Sequence, residues 1–348
     1  MAQAKKAKSA APKPDIAIRD LVHDGKVEDA VKLAAKSPAA ASPALDGLMA
    51  LADREIVDRD IKKAQATLEA AQKFADSCGK IKQVKDLPRD ALRGRQLRLQ
   101  GIMLSDQGQY QKAVEALNQA LEVSQKTKDR ALEAGVHNNL GFALEKQASL
   151  KETLPADRPK FLNDAVREYD LARRIGEEIK DLHRAGSSNY NLGNVLWLQT
   201  QYEKQPEAKL KEALAAFKRS VEQAKATSQT ALVPRALKAQ GRILSQLDPK
   251  SVEVLPLYQE AETLFEKLGD YNSAGQCYIS MAEYSGFSGD FPKTTEFGEK
   301  AIPLFLKSGD KAALQSTYDF LAMIYLTMNE PAKSEKYKKL ADELGVKK

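Results

Sequence analysis

The side chains best placed to do chemistry in this chain are amides and cations spaced for one side of a helix, and the chemistry they suit is reversible recognition. Two strings carry the amides: Asn138-Asn139-Leu140-Gly141 and Asn189-Tyr190-Asn191-Leu192-Gly193-Asn194. A carboxamide holds a donor and an acceptor together, so it can pair with the N–H and C=O of a peptide whatever side chains that peptide carries. Each such bond nets only about 0.5–1.5 kcal/mol, so several are needed. Rings accompany the amides at i, i+4, i+7 spacing: Phe142 follows Asn138, and Tyr190, Asn194 and Trp197 form one run that includes the only tryptophan. Cations flank the middle on both sides, Arg98 (with Arg95 a turn earlier) before it and Arg235, Lys238 and Arg242 after it. They favour acidic side chains or a carboxylate, and the rings supply apolar anchors. The stripe also takes in Ile102 and Ser105, Glu145, Ser245, then Ile279, Glu283 and Gly286, and finally Asp319, Met323 and Leu326. The same spacing fits a plainer role: Asn139 and Asn191 can bond neighbouring helix backbones, and Trp197 can be core.

Other chemistries lack their residues. The three histidines, His23, His137 and His183, stand in no HxxxH, HExxH or Cys/His cluster, so no metal site is expected. There is no P-loop, no GxSxG and no glycine-rich loop after a strand. Adjacent acids such as Glu177-Glu178 and the Asp58/Asp60 pair fit solvated helix faces. Cys78 and Cys277 form no CxxC or zinc spacing and are expected as buried free thiols. Neither an enzyme nor a bound cofactor is expected.

The elements that position the stripe follow from composition. Of 348 residues, 29% are charged and 43% hydrophobic, the balance of a core-forming chain. Ala, Leu, Lys, Glu and Gln recur, all strong helix formers, and no alternating β-branched run argues for strands. The net charge is +6, and Lys5, Lys6, Lys8 and Lys13 supply four of those charges. The rest is close to balance, which argues against nucleic acid as the partner. Residues 1–14, rich in Ala, Lys, Ser and Pro, form an expected disordered basic tail without a signal-peptide apolar stretch. No apolar run approaches membrane-spanning length, so the expectation is a cytoplasmic protein away from membranes.

A repeat emerges from small residues. Ala52, Gly101, Gly141, Gly193, Gly241, Ala282 and Ala322 are separated by 49, 40, 52, 48, 41 and 40 residues. Each precedes a second helix with small, large and small residues at i, i+4, i+7, as in Ala64/Leu68/Ala71, Ala113/Leu117/Ala120, Ala165/Tyr169/Ala172 and Ala213/Phe217/Ser220. Weaker copies are Val254/Tyr258/Ala261, Thr294/Gly298/Ala301 and Ser334/Lys338/Ala341. Longer spacings place insertions near 151–163 and 202–210 of the array 15–348. Turns are expected at Gly25, Gly108 and Gly289, and at Gly269-Asp270 and Gly309-Asp310, where glycine ends one helix and aspartate caps the next. Pro256 and Pro303, inside helical segments, predict kinks or early stops.

The run Leu97, Gly101, Leu104, Gly108, Tyr110, Ala113, Leu117, Ala120 resembles the tetratricopeptide repeat family. Its long period and the Asn-Leu-Gly strings are similar to the repeats of kinesin light chains and of the Leu-Gly-Asn adaptors of G-protein α subunits. The resemblance implies an all-α, right-handed superhelical solenoid of about eight helix-turn-helix pairs, closed by a polar-faced last helix. It further implies that Asn138, Asn139, Asn191 and Asn194 line a groove that grips peptides. The expected function is therefore a non-enzymatic scaffold or adaptor holding an extended, partly acidic segment of a protein partner. The alternatives are a nucleic-acid-associated basic repeat protein and a peptide-sensing regulatory switch, with self-association through the terminal pairs also open.

Overall fold

The computed structural model describes residues 12–57 and 59–345, so most of the expected tail and Asp58 lie outside the described residues. Among the described residues there is no strand, and sixteen α-helices follow one another in chain order. They fall into two compact units that divide between Leu150 and Lys151. The first holds α1 (Pro14–His23), α2 (Val27–Lys36), α3 (Ala41–Val57), α4 (Ile61–Cys78), α5 (Arg89–Asp106), α6 (Tyr110–Thr127) and α7 (Arg130–Ala148). The second holds α8 (Arg158–Glu178), α9 (Leu182–Gln199), α10 (Glu207–Ala226), α11 (Leu232–Leu247), α12 (Val254–Lys267), α13 (Tyr271–Phe287), α14 (Phe291–Ser308), α15 (Lys311–Thr327) and α16 (Pro331–Leu344). The fourth expected pair, α7 with α8, is thus shared between the units.

Within each unit consecutive helices pack as hairpins, and the first helices of successive pairs also touch: α3 with α5 and α5 with α7, then α9 with α11 and α11 with α13. The repeat arithmetic has a direct packing cause. A Cβ on Gly101 would come within 2.5 Å of Leu117, one on Gly193 within 2.8 Å of Phe217, and one on Gly241 within 3.1 Å of Tyr258. The small residue of the first helix is therefore the seat for the large residue of the second, and Leu117, Phe217 and Tyr258 are buried there. Burial of each stabilises the hairpin by about 1.5–3 kcal/mol.

The turns are as local as the sequence implies. Gly25, Gly108, Gly269, Gly289 and Gly309 all have φ between +73° and +77°, the left-handed conformation that ends a helix without a Cβ clash. Asp270 and Asp310 then cap α13 and α15 by accepting hydrogen bonds from the backbone N–H groups of Ser273 and Ala313. In α16 Tyr337 and Ala341 face inward, and the lysines and acids face solvent.

Three expectations take a more definite form. Pro256 lies in the first turn of α12, where its missing N–H has no intrahelical partner to lose. Pro303 sits within α14, and the helix continues through it to Ser308 instead of stopping. The insertions are partly helix: Arg158–Asn163 and Glu207–Leu210 begin α8 and α10, leaving short connections around 149–157 and a single 3-10 turn over Thr200–Tyr202 before α10.

Candidate functional site

In the first unit the inward stripe is closed. Arg95 and Arg98, expected as exposed cations, are only 7% and 3% exposed. Arg95 donates to Asp53 at 2.9 Å and Asp129 at 2.7 Å, while Arg98 donates to Asp53 at 2.8 Å and to the Asn139 carbonyl oxygen at 2.8 Å. Burial presses the Arg95 guanidinium toward losing its proton, but Asp53 and Asp129 outweigh that and raise its pKa. Asp46, beside the same cluster, is pushed above the usual carboxylate range by burial, with Arg95 opposing and Asp129 reinforcing the shift. Ile102 and Ser105 are buried as well. The exposed third-pair stripe is thus corrected to an internal ion network: α3 supplies Asp53, forty-five residues before Arg98, and satisfies the cations before any ligand can. On α7, Asn138, Asn139 and Phe142 are half-buried, and the Lys146 ammonium lies 5.2 Å from the Phe142 ring centre.

The second unit differs. Tyr190 and Asn194 of α9, and Arg235, Lys238 and Arg242 of α11, line one cavity of about 370 Å³. Arg242 lies over Trp197, its guanidinium carbon 3.8 Å from the ring centre, a cation–π contact. Its Nη2 reaches the Asn194 Oδ1 at 3.4 Å, and its Nε–H is buried with no acceptor. Tyr190 packs edge-on against Phe217 with ring centres 5.8 Å apart, which ties the cavity wall to the Gly193 hairpin seat. The Lys238 ammonium donates to Gln276 at 2.5 Å. Asn191 is half-buried on the same helix, whereas Asn189 is fully buried and donates to Gln223 at 2.8 Å.

Among the described residues no carboxylate pairs with Arg235, Lys238 or Arg242 in the manner of Asp53. Burial lowers the pKa of Lys238, with Arg242 adding to the effect and Cys277, Asp270 and Glu283 resisting it. Burial also lowers that of Arg242, against Tyr190 and Tyr258. Burial raises the Tyr258 phenol to about 12, despite hydrogen bonds to Ser245 and Ser280, so it remains a neutral donor. The Cys277 thiol is likewise raised to about 12 by burial, which leaves it an inert packing group.

Sequence reasoning missed five lining residues: Ala239 of α11, Tyr258 and Phe265 of α12, and Ser273 and Ser280 of α13. Tyr258 had been identified as a packing residue, which it also is; its ring seats Gly241 while its edge faces the cavity. Ser273 and Ser280 lie seven apart, a signal that rotates the α13 stripe one residue on from Ile279. Farther along, Met323 and Leu326 of α15 are 57% and 63% exposed. The described residues contain no group of three or more His, Cys, Asp or Glu able to hold a metal ion, and no helix long and apolar enough to cross a membrane.

No protein-family model and no curated protein matches the chain. Solved structures similar to it include two helical repeat proteins. One is a signal transduction ATPase with numerous domains, bearing a tetratricopeptide repeat sensor, from Pyrococcus horikoshii; it is 14% identical with a TM-score of 0.64, over 94% of this chain and 47% of that one. The other is aspartyl phosphate phosphatase F from Bacillus subtilis, 16% identical with a TM-score of 0.50, over 98% of this chain and 96% of that one. Together with the hairpin packing, these likenesses establish a tetratricopeptide-type helical repeat fold.

Proposed function

We propose that this chain is a protein-interaction adaptor whose second unit binds an extended segment of a partner protein and receives an acidic group of that segment in the α9/α11/α13 cavity. One observation carries the reading: three cations converge on an open cavity without the carboxylates that neutralise their counterparts on α5. Lys238 and Arg242 are half-buried, and charge left half-buried without a counter-charge destabilises a fold, so its retention fits a ligand that completes it. Asn194 lines the cavity, with Asn191 three residues before it on α9; carboxamides there can pair with an extended peptide backbone, and exposed Met323 and Leu326 offer apolar contacts farther along the unit. Glu283, near Lys238, gives the rim mixed charge, which suits a segment with one acidic group better than a uniformly charged polymer such as nucleic acid.

The test is affinity capture from native extract with wild type and with the Asn191→Ala/Arg242→Glu double variant. The expected result is a protein retained by wild type alone, through a short linear fragment that binds by itself, with both baits melting at the same temperature. Identical retention by both baits, or retention of nucleic acid only, sinks the proposal.

A further inference from the structure

We propose that the acidic group this cavity accepts is a phosphomonoester, so that the partner segment is one phosphorylated on a side chain; this rests on the adaptor reading above and sharpens it. The first argument is charge. Arg235, Lys238 and Arg242 face one cavity, and a carboxylate would bring a single negative charge to three cations. Asp270 and Glu283 act on Lys238 from beyond ion-pair range and relieve it only in part. A phosphorylated side chain brings close to two negative charges at neutral pH.

The second argument is direction. Donors reach the cavity from separate helices, the cations of α11 and the Ser273 hydroxyl of α13, while the Tyr258 phenol of α12 and the Ser280 hydroxyl, which already donates to the Gln276 carbonyl, line its wall. A carboxylate presents two oxygens in one plane. A phosphomonoester presents three terminal oxygens about a tetrahedral centre and can accept from several sides at once. The Tyr258 phenol stays protonated throughout the physiological range because burial holds it near 12, and it engages Ser245 and Ser280 at the wall.

Preorganisation is the third. Arg242 lies over Trp197, its guanidinium carbon 3.8 Å from the ring centre, and reaches Asn194, and its Nε–H is buried without an acceptor. The guanidinium is held in place before a ligand arrives, which is what forked recognition of a phosphate needs. The same stacking argues against a nucleotide, since Arg242 already covers a face of Trp197 that a base would use.

The experiment uses the full chain and dye-labelled nonapeptide libraries, degenerate at every position except a central phosphoserine, glutamate or serine, read by fluorescence anisotropy at constant ionic strength. Inorganic phosphate and a mixed single-stranded oligonucleotide serve as competitors. Trp197, the only tryptophan, reports by its own emission whether binding occurs at this cavity. The expected result is phosphoserine binding at least tenfold tighter than glutamate, displacement by inorganic phosphate, a change in Trp197 emission, and at least a tenfold loss in both Lys238→Gln and Arg235→Gln, with neither variant melting below wild type by circular dichroism. Two variants are used because Arg235 is exposed and carries little folding risk. Equal affinity for the phosphoserine and glutamate libraries would overturn the phosphate assignment and leave the adaptor reading standing. No binding by any library would overturn both. Displacement by the oligonucleotide at concentrations where inorganic phosphate has no effect would identify a polyanion site and overturn the phosphopeptide.

Discussion

Two clusters of cations on equivalent helices meet opposite fates in this molecule. On α5, Arg95 and Arg98 are buried and locked to Asp53 and Asp129. On α11, Lys238 and Arg242 are partly buried and reach only amides, an aromatic ring and a cavity. The difference teaches where binding capacity comes from. A cation stripe becomes part of the fold when the preceding pair supplies acids at the right height, and becomes a site when it does not. Asp53 precedes the α5 cluster by one pair; at the corresponding place before α11 stand Asn194 and Trp197, which position Arg242 without neutralising it.

The largest test of this contrast is to remove one arginine from each cluster. Arg98→Met removes one of the two arginines on buried Asp53, together with the donor to Asn139, and leaves only Arg95 on that carboxylate; removal of one partner from a buried pair costs up to about 3–5 kcal/mol. Arg242→Met strands no carboxylate and leaves an apolar side chain against Trp197. Urea denaturation should show a large loss for the first and a change under about 1 kcal/mol for the second. Equal losses would mean that both clusters are structural and would remove the cavity as a site.

Next in size is packing beneath the two stripes. In Gly101→Ala the new Cβ would lie 2.5 Å from Leu117, which is fully buried and cannot retreat; overpacking of this kind costs about 1–3 kcal/mol. In Gly241→Ala the contact is 3.1 Å, to the ring of Tyr258, whose edge faces the cavity and can shift into it. The roughly 1 kcal/mol gained from alanine's helix propensity should bring that variant close to wild-type stability. Thermal melts of the two variants decide whether the α11–α12 hairpin is the softer seat.

How much of this was legible follows from the range of each cause. The pairs, the turn glycines and the Asp caps are local, and spacing revealed them; Gly309 followed by Asp310 ends one helix and begins another within two residues. The seating of Gly193 on Phe217 was also legible, because a small residue and its large partner recur at set distances. The fate of Arg98 was not: its partner Asp53 is one of many acids in the chain, and nothing nearby marks it as opposite Arg98. For the same reason Tyr258 passed for core alone, since a period shows which side a residue faces but not that its edge borders empty space. Tyr190, Asn194, Arg235, Lys238 and Arg242 were recoverable because anchors forty-eight residues apart, Gly193 and Gly241, put two stripes in register.

A smaller effect carries a pH signature. The Lys238 ammonium has a folded pKa below its ordinary value, chiefly through burial. Between the folded and unfolded values the unfolded chain binds the extra proton, so stability rises with pH across that window, whose upper edge is the unfolded lysine value of about 10.4. Below that window the charge is present in both states and its burial penalty is in full force. Lys238→Met should therefore be more stable than wild type at pH 7, by about 1 kcal/mol or less, and the gap should close as pH rises into the window. Paired melts at pH 7 and pH 9.5 check this. A variant less stable than wild type at pH 7 would mean that the ammonium is already compensated by Asp270 and Glu283.

The smallest contrast lies in how helices hand over to the next pair. Between α14 and α15 the turn residue is Gly309, φ +73°; between α6 and α7 it is Lys128, φ +56°. A side chain in the left-handed region costs about 1–2 kcal/mol relative to glycine, and glycine in the unfolded chain loses part of that through its greater freedom. Lys128→Gly should then stabilise by about 0.5–1 kcal/mol, and Gly309→Ala should destabilise by a similar amount, each read as a shift in denaturation midpoint at unchanged slope. Lys128 precedes Asp129, which both caps α7 through the Leu132 N–H and pairs with Arg95. If Lys128→Gly destabilises instead, the stiffer turn is holding Asp129 in place for the arginine network, and the closed state of the α5 cluster depends on its turn as well as on its acids.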